Sequence, residues 1–83
     1  MTTSPRPHVP PGPRETLLEY RVRRGWRRAC HLAAATSPRL DGGLLSRMEH
    51  GRRSPHGEAV LAAFWGLTDG EMEALVGNGR LLR

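Results

Sequence analysis

The side chains best equipped for polar recognition in this 83-residue chain are arginines: all thirteen basic residues are arginine and none is lysine. Ten of them fall within residues 14–53 against four acids, Glu15, Glu19, Asp41 and Glu49, whereas residues 54–83 carry two arginines against four acids. A basic segment followed by a mildly acidic one is the distribution of a domain that turns one face to a polyanion. Guanidinium groups suit that work because their planar fork matches phosphate and carboxylate oxygens in pairs. A plain solvated surface would carry a similar charge run. Position along the elements has to decide.

Other chemistries find little support in the residue pattern. Cys30 and His31 are neighbours, which point in different directions on a helix. No second pair exists to complete a four-ligand zinc site or a disulfide. Cys30 is therefore expected as a small buried apolar residue, with no metal and no cofactor. His50 sits where a cation at a helix carboxyl end is favoured by the dipole. No nucleophile stands with a base and an orienting group, and a domain this small has room for little beyond its own core, which argues against an enzyme. No apolar run reaches the roughly 20 residues of a membrane span. Five prolines by position 13 replace the apolar stretch of a signal peptide, so a cytoplasmic protein without a membrane partner is expected.

The elements that must position the arginines can be read from periodicity and breakers. Residues 1–13 hold prolines and no apolar period, which predicts a disordered arm. Leu17, Leu18 and Val22, with Tyr20 flanking them, predict a first helix over residues 14–24 that Gly25 caps. The alanine-rich run to Ala35 predicts a second helix, starting at Trp26 or Arg27 and ended by Pro38. Asp41 is placed as N-cap of a third helix over residues 42–50, with Leu45 and Met48 on one face and Gly51 ending it. Ser54 and Pro55 open a fourth helix through Val60, Leu61, Phe64 and Trp65. Thr68 and Glu71 form a capping box for a fifth, with Leu75 and Val76 facing the core. The ordered domain is thus expected over residues 14–76, with residues 77–83 as a flexible tail. The fold class is all-α.

Positive charge around the second and third helices already suggests a helix-turn-helix. The stretch from Leu44 to Pro55, LLSRMEHGRRSP, then resembles the xenobiotic-response-element family of helix-turn-helix regulators, which includes phage repressor and Cro proteins. Leu45, Ser46, Arg47, Met48, Glu49 and Gly51 fill the family's recognition-helix pattern. Arg21, four residues before Gly25, matches the first-helix arginine that pairs in the family with the glutamate closing that helix, here Glu49. Leu67, Glu71 and Leu75 match its closing segment, so the similarity covers residues 17–76. The resemblance implies a small five-helix bundle of the lambda-repressor-like type. Two departures stand out: Ser37-Pro38-Arg39 occupies the turn where the family usually has glycine, and the approach to the third helix is about three residues longer. Either Ala33 or Ala35 would be the small residue at the elbow.

By the same resemblance, the partner is double-stranded DNA in the cytoplasm, close to the nucleoid, and the activity is transcriptional regulation of a repressor-like kind. The base-reading positions are Gly42, Gly43, Ser46 and Arg47; Arg47 is suited to a bidentate contact with guanine, and the glycines offer no side chain. Arg27, Arg28, Arg39, Arg52 and Arg53 are placed for phosphate, which would give a slope of about −4.5 in log affinity against log salt for five contacts. Arg21 and Glu49 form a structural ion pair. A homodimer is expected, since two half-sites add affinity, with the fifth helix, Leu81, Leu82 and Trp65 as candidate contacts. A protein-interaction module of the same fold, antitoxin-like or regulator-binding, is the competing reading.

Overall fold

Every helix but one starts at a short polar side chain that can accept a bond from the first turn. The computed structural model describes residues 9–81, with side chains through residue 79. It holds five helices, α1 (Leu17–Arg23), α2 (Ala29–Ala35), α3 (Gly42–Glu49), α4 (Pro55–Trp65) and α5 (Asp69–Leu81), with no strand among the described residues. Thr16 caps α1 in a reciprocal box with Glu19, Asp41 accepts from the Leu44 amide, and Ser54 accepts from the Gly57 amide. Thr68 and Glu71 exchange bonds at the start of α5. Such caps are each worth about 1 kcal/mol. Arg28 precedes α2 and makes no side-chain cap.

Several expectations from the sequence are corrected. Helix α1 starts at Leu17 rather than near Arg14 because the Thr16–Glu19 box fixes the first turn. Its inner face carries Leu17, Tyr20 and Arg21, while Leu18 and Val22 are 43% and 48% exposed. Helix α2 is shorter than expected, because Gly25 turns left-handed at φ 94° and the Trp26 amide donates back to the Arg21 carbonyl at 3.0 Å. Trp26 packs edge-on against Phe64 instead of opening the helix. Residues 9–13 are not a free arm: the Tyr20 hydroxyl donates to the Val9 carbonyl at 2.6 Å, and Arg23 donates to the Pro10 carbonyl at 3.0 Å. Residues 1–8 lie outside the described residues. The chain beyond Gly77 continues α5 to Leu81, with Gly79 buried and the Asn78 side-chain amide donating to the Glu15 carbonyl at 2.8 Å. Leu82 and the Leu81 side chain, expected at a subunit contact, lie outside the described residues and side chains. Trp65 is 2% exposed and stacks edge-on with Tyr20, so it belongs to the core and not to a surface.

The middle of the fold is α3, which packs against each of the other four helices. Its Leu45 and Met48 are fully buried among Leu17, Leu32, Leu61, Met72, Leu75 and Val76. Burying a side chain of this size is worth about 1.5–3 kcal/mol. Two glycines on neighbouring helices let α3 come close. A Cβ on Gly57 would stand 2.5 Å from the Met48 sulfur, and one on Gly79 would stand 2.8 Å from the Glu49 carbonyl oxygen and 3.2 Å from the Gly51 nitrogen. No helix among the described residues is long and apolar enough to cross a membrane.

Gly79 and Gly77 form a controlled pair, since nothing lies within 4 Å of a Cβ on Gly77. Replacing helical glycine by alanine gains about 0.8–1 kcal/mol of propensity, but a Cβ against rigid backbone costs about 1–3 kcal/mol. Gly77→Ala is expected to raise the thermal midpoint and Gly79→Ala to lower it. Equal shifts of the two in calorimetry would show that α5 does not seat on α3.

Candidate nucleic-acid interface

The turn between α2 and α3 is closed by a hydroxyl. Thr36, 5% exposed, donates to the Ala33 carbonyl at 2.7 Å and accepts from the Leu40 amide at 3.0 Å. Leu40 drops into the core and Ala33 is 2% exposed. Ala33, not the exposed Ala35, is the elbow residue. Thr36 thus holds a turn in which Ser37-Pro38-Arg39 stands where a glycine was looked for. The sequence signal for it was available: a threonine just past a helix end, suited to back-bonding onto that end.

Helix α3 then presents one open face. Gly43, Ser46, Arg47 and His50 are exposed and recur at helical spacing, opposite Leu45 and Met48. The His50 Nδ1 meets the Ser46 carbonyl at 2.8 Å, consistent with a role in closing the helix. Gly42 is not on this face. It is half-buried, and a Cβ there would stand 3.6 Å from Cys30 on α2, so Gly42 serves helix packing rather than the outer surface. Cys30 itself is exposed, against the expectation of a buried thiol.

The arginines differ in their partners: Arg14 and Arg24, at the two ends of α1, have no carboxylate within ion-pair distance among the described residues. Arg21, Arg23 and Arg53 are fixed by Glu49, Glu15 and Glu58. Arg27, Arg28, Arg39, Arg47 and Arg52 are exposed, and no carboxylate among the described residues lies within the 4.0 Å of an ion pair. All five belong to α2, α3 or the segments flanking them. Arg53, expected with Arg52 in the phosphate set, differs from these five in having carboxylate partners. Its guanidinium forks onto Glu58 at 2.8 and 3.0 Å, with Glu73 at 3.8 Å. Burial pushes the Glu58 carboxyl up, but the Arg53 guanidinium and the Ser54 amide together outweigh it and hold the group below its ordinary value. The Arg23 guanidinium likewise holds Glu15 below the usual carboxylate range.

No protein-family model, curated protein or solved structure matches the chain.

The site's geometry depends on the joint between α1 and α3. Arg21 Nε donates to Glu49 Oε2 at 2.5 Å and Nη2 reaches Oε1 at 3.4 Å, while Nη1 donates to the Trp26 carbonyl at 2.8 Å. The two side chains are 7% and 5% exposed. One guanidinium thereby joins the end of α3 to the loop that leads into α2. Removing either partner alone strands a buried charge, at a cost of up to about 3–5 kcal/mol.

Arg21→Ala and Glu49→Ala are each expected to lower the free energy of urea unfolding by that order, while the double replacement Arg21→Met with Glu49→Leu loses much less. Losses under about 1 kcal/mol for both single variants would mark the pair as a surface interaction instead.

Proposed function

We propose that the chain is a helix-turn-helix protein that binds double-stranded DNA through α3 and the arginines around it, and regulates transcription. The observation that carries this reading is the partition of the arginines. Arg21, Arg23 and Arg53 have carboxylate partners, whereas Arg27, Arg28, Arg39, Arg47 and Arg52, on or beside the α2, turn and α3 unit, have none among the described residues. Exposed guanidinium groups without counter-charges along one helix-turn-helix unit are suited to an external polyanion. The resemblance of residues 44–55 to repressor-type recognition helices supports the same assignment.

In this reading Arg27, Arg28, Arg39 and Arg52 contact phosphates and fix the register, while Ser46 and Arg47 face base edges in the major groove. Arg53 contributes stability to α4 and not affinity. Binding as a homodimer would let two copies of α3 reach half-sites about 34–36 Å apart. The exposed apolar pair Leu18 and Val22 on α1 favours a second reading, in which the fold docks on a protein partner.

Fluorescence anisotropy with random-sequence duplex across a salt series tests the proposal. Each neutralised phosphate contributes about −0.9 to the slope of log affinity against log salt, so four arginines give roughly −3.6 per protomer. Arg52→Ala should reduce the slope's magnitude by about 0.9, whereas Arg53→Ala should leave it unchanged and lower the melting temperature. Absence of binding at low salt would overturn the DNA reading, and a protein partner would be sought through Leu18 and Val22.

A further inference from the structure

The two glycines at the amino end of α3 leave the surface there bare, and their surroundings differ. Gly42 rests on Cys30, but the space over Gly43 is bordered by two charged side chains of opposite sign. A Cβ on Gly43 would stand 2.9 Å from Asp41 Oδ2 and 3.5 Å from Arg47 Nη1. Arg47 therefore lies back along its helix by one turn, toward the capping carboxylate, and the two groups border the same gap without contact. Asp41 uses Oδ2 to accept from the Leu44 amide at 3.1 Å. A carboxylate has about four acceptor positions in all, so capping leaves it capacity for a second donor. Arg47 is exposed and not in direct ion-pair contact with any described carboxylate, unlike Arg53, whose fork is filled by Glu58. Its paired N–H donors remain open to a ligand.

Resting on the DNA-binding reading, the geometry points to Asp41 as a positioning residue for Arg47: the carboxylate steers the guanidinium over the gap at Gly43, so that α3 selects guanine. Guanine is the base that offers two acceptors, O6 and N7, on its major-groove edge, and an arginine fork satisfies both. A carboxylate beside the fork repels phosphate, which turns Arg47 away from the backbone and toward base edges. It also accepts from the exocyclic amine of a cytosine, the amine that a neighbouring G·C pair would present. Gly43 is then a specificity determinant by what it lacks. Any side chain there would strike the Asp41 carboxylate and occupy the space the base edge needs.

Sequencing of duplexes retained from a random-centre library tests this with the full chain, its Asp41→Asn and Arg47→Lys variants, and Gly43→Ala. For the wild type a guanine is expected at one position of each half-site, enriched roughly five- to 150-fold over other bases, the range of a good bidentate contact. Asparagine caps a helix about as well as aspartate, so Asp41→Asn should melt like wild type. It should bind random duplex more tightly, having lost a charge that repels phosphate, and yet lose most of the guanine enrichment. Arg47→Lys, on an exposed position that does not endanger folding, should lose the enrichment as well, and Gly43→Ala should lower it. Wild-type binding without guanine enrichment, or Asp41→Asn binding with the enrichment intact, would overturn the inference while leaving the DNA-binding reading in place. Failure of the wild type to retain any duplex would defeat both.

Discussion

The placement of α3 governs this fold, and it is set by one ion pair together with two missing side chains. An eight-residue helix has too few internal bonds to persist alone, since helices under about 12–15 residues are marginal in water. Its order must come from tertiary packing. Leu45 and Met48 supply the apolar contact, Gly57 and Gly79 remove the atoms that would hold α4 and α5 away, and Arg21 fastens the carboxyl end through Glu49. The clamp is polar where the packing is apolar, so it adds direction. A guanidinium fork accepts its carboxylate in few orientations, which fixes the rotation of α3 about its own axis. That rotation decides which residues face outward. With Leu45 and Met48 inward, Gly43, Ser46 and Arg47 have to be on the open side.

The electrostatics follow from the same arrangement. Acids are spread along the chain, but Glu15 just before α1 is matched to Arg23, Glu58 of α4 to Arg53, and Glu49 to Arg21. Charge of the opposite sign is thus withdrawn from the α2 and α3 surface into structural pairs. Asp41 is the exception on that surface. It is kept by its cap to α3 and borders, with Arg47, the gap over Gly43.

Much of this was legible in the sequence, and the limits have physical reasons. Breakers and caps located α3, α4 and the start of α5 because Asp41, Ser54, Pro55 and Thr68 act on their nearest neighbours in the chain. Arg21 and Glu49 were paired through a family resemblance, and their contact is seen directly in the fold. The face of α1 was misjudged because Leu18 and Val22 are apolar but Tyr20 and Arg21 are the ones buried, and burial of a tyrosine and an arginine depends on distant partners: Val9, Trp65 and Glu49. The resemblance places Arg53 beside Arg52 in the phosphate set, and that local pattern gives no hint of the contact with Glu58 five residues on. The packing of residues 9–13 and the continuation of α5 past Gly77 rest on bonds to Tyr20, Arg23 and Glu15, which composition alone does not reveal. Local rules read the elements well; contacts between elements sorted the charges.

The proposed function requires the surface built by α2, the turn and α3 to meet duplex DNA. Backbone amide chemical shifts of the labelled protein, followed by NMR as a short duplex is titrated in at low salt, test it most directly. Shifts are expected to concentrate in residues 27–52, largest at Gly43, Ser46 and Arg47, with the Arg53, Glu58 and Glu73 region unmoved. Shifts confined to α4 and the first half of α5, or none at any ratio of duplex to protein, would contradict it.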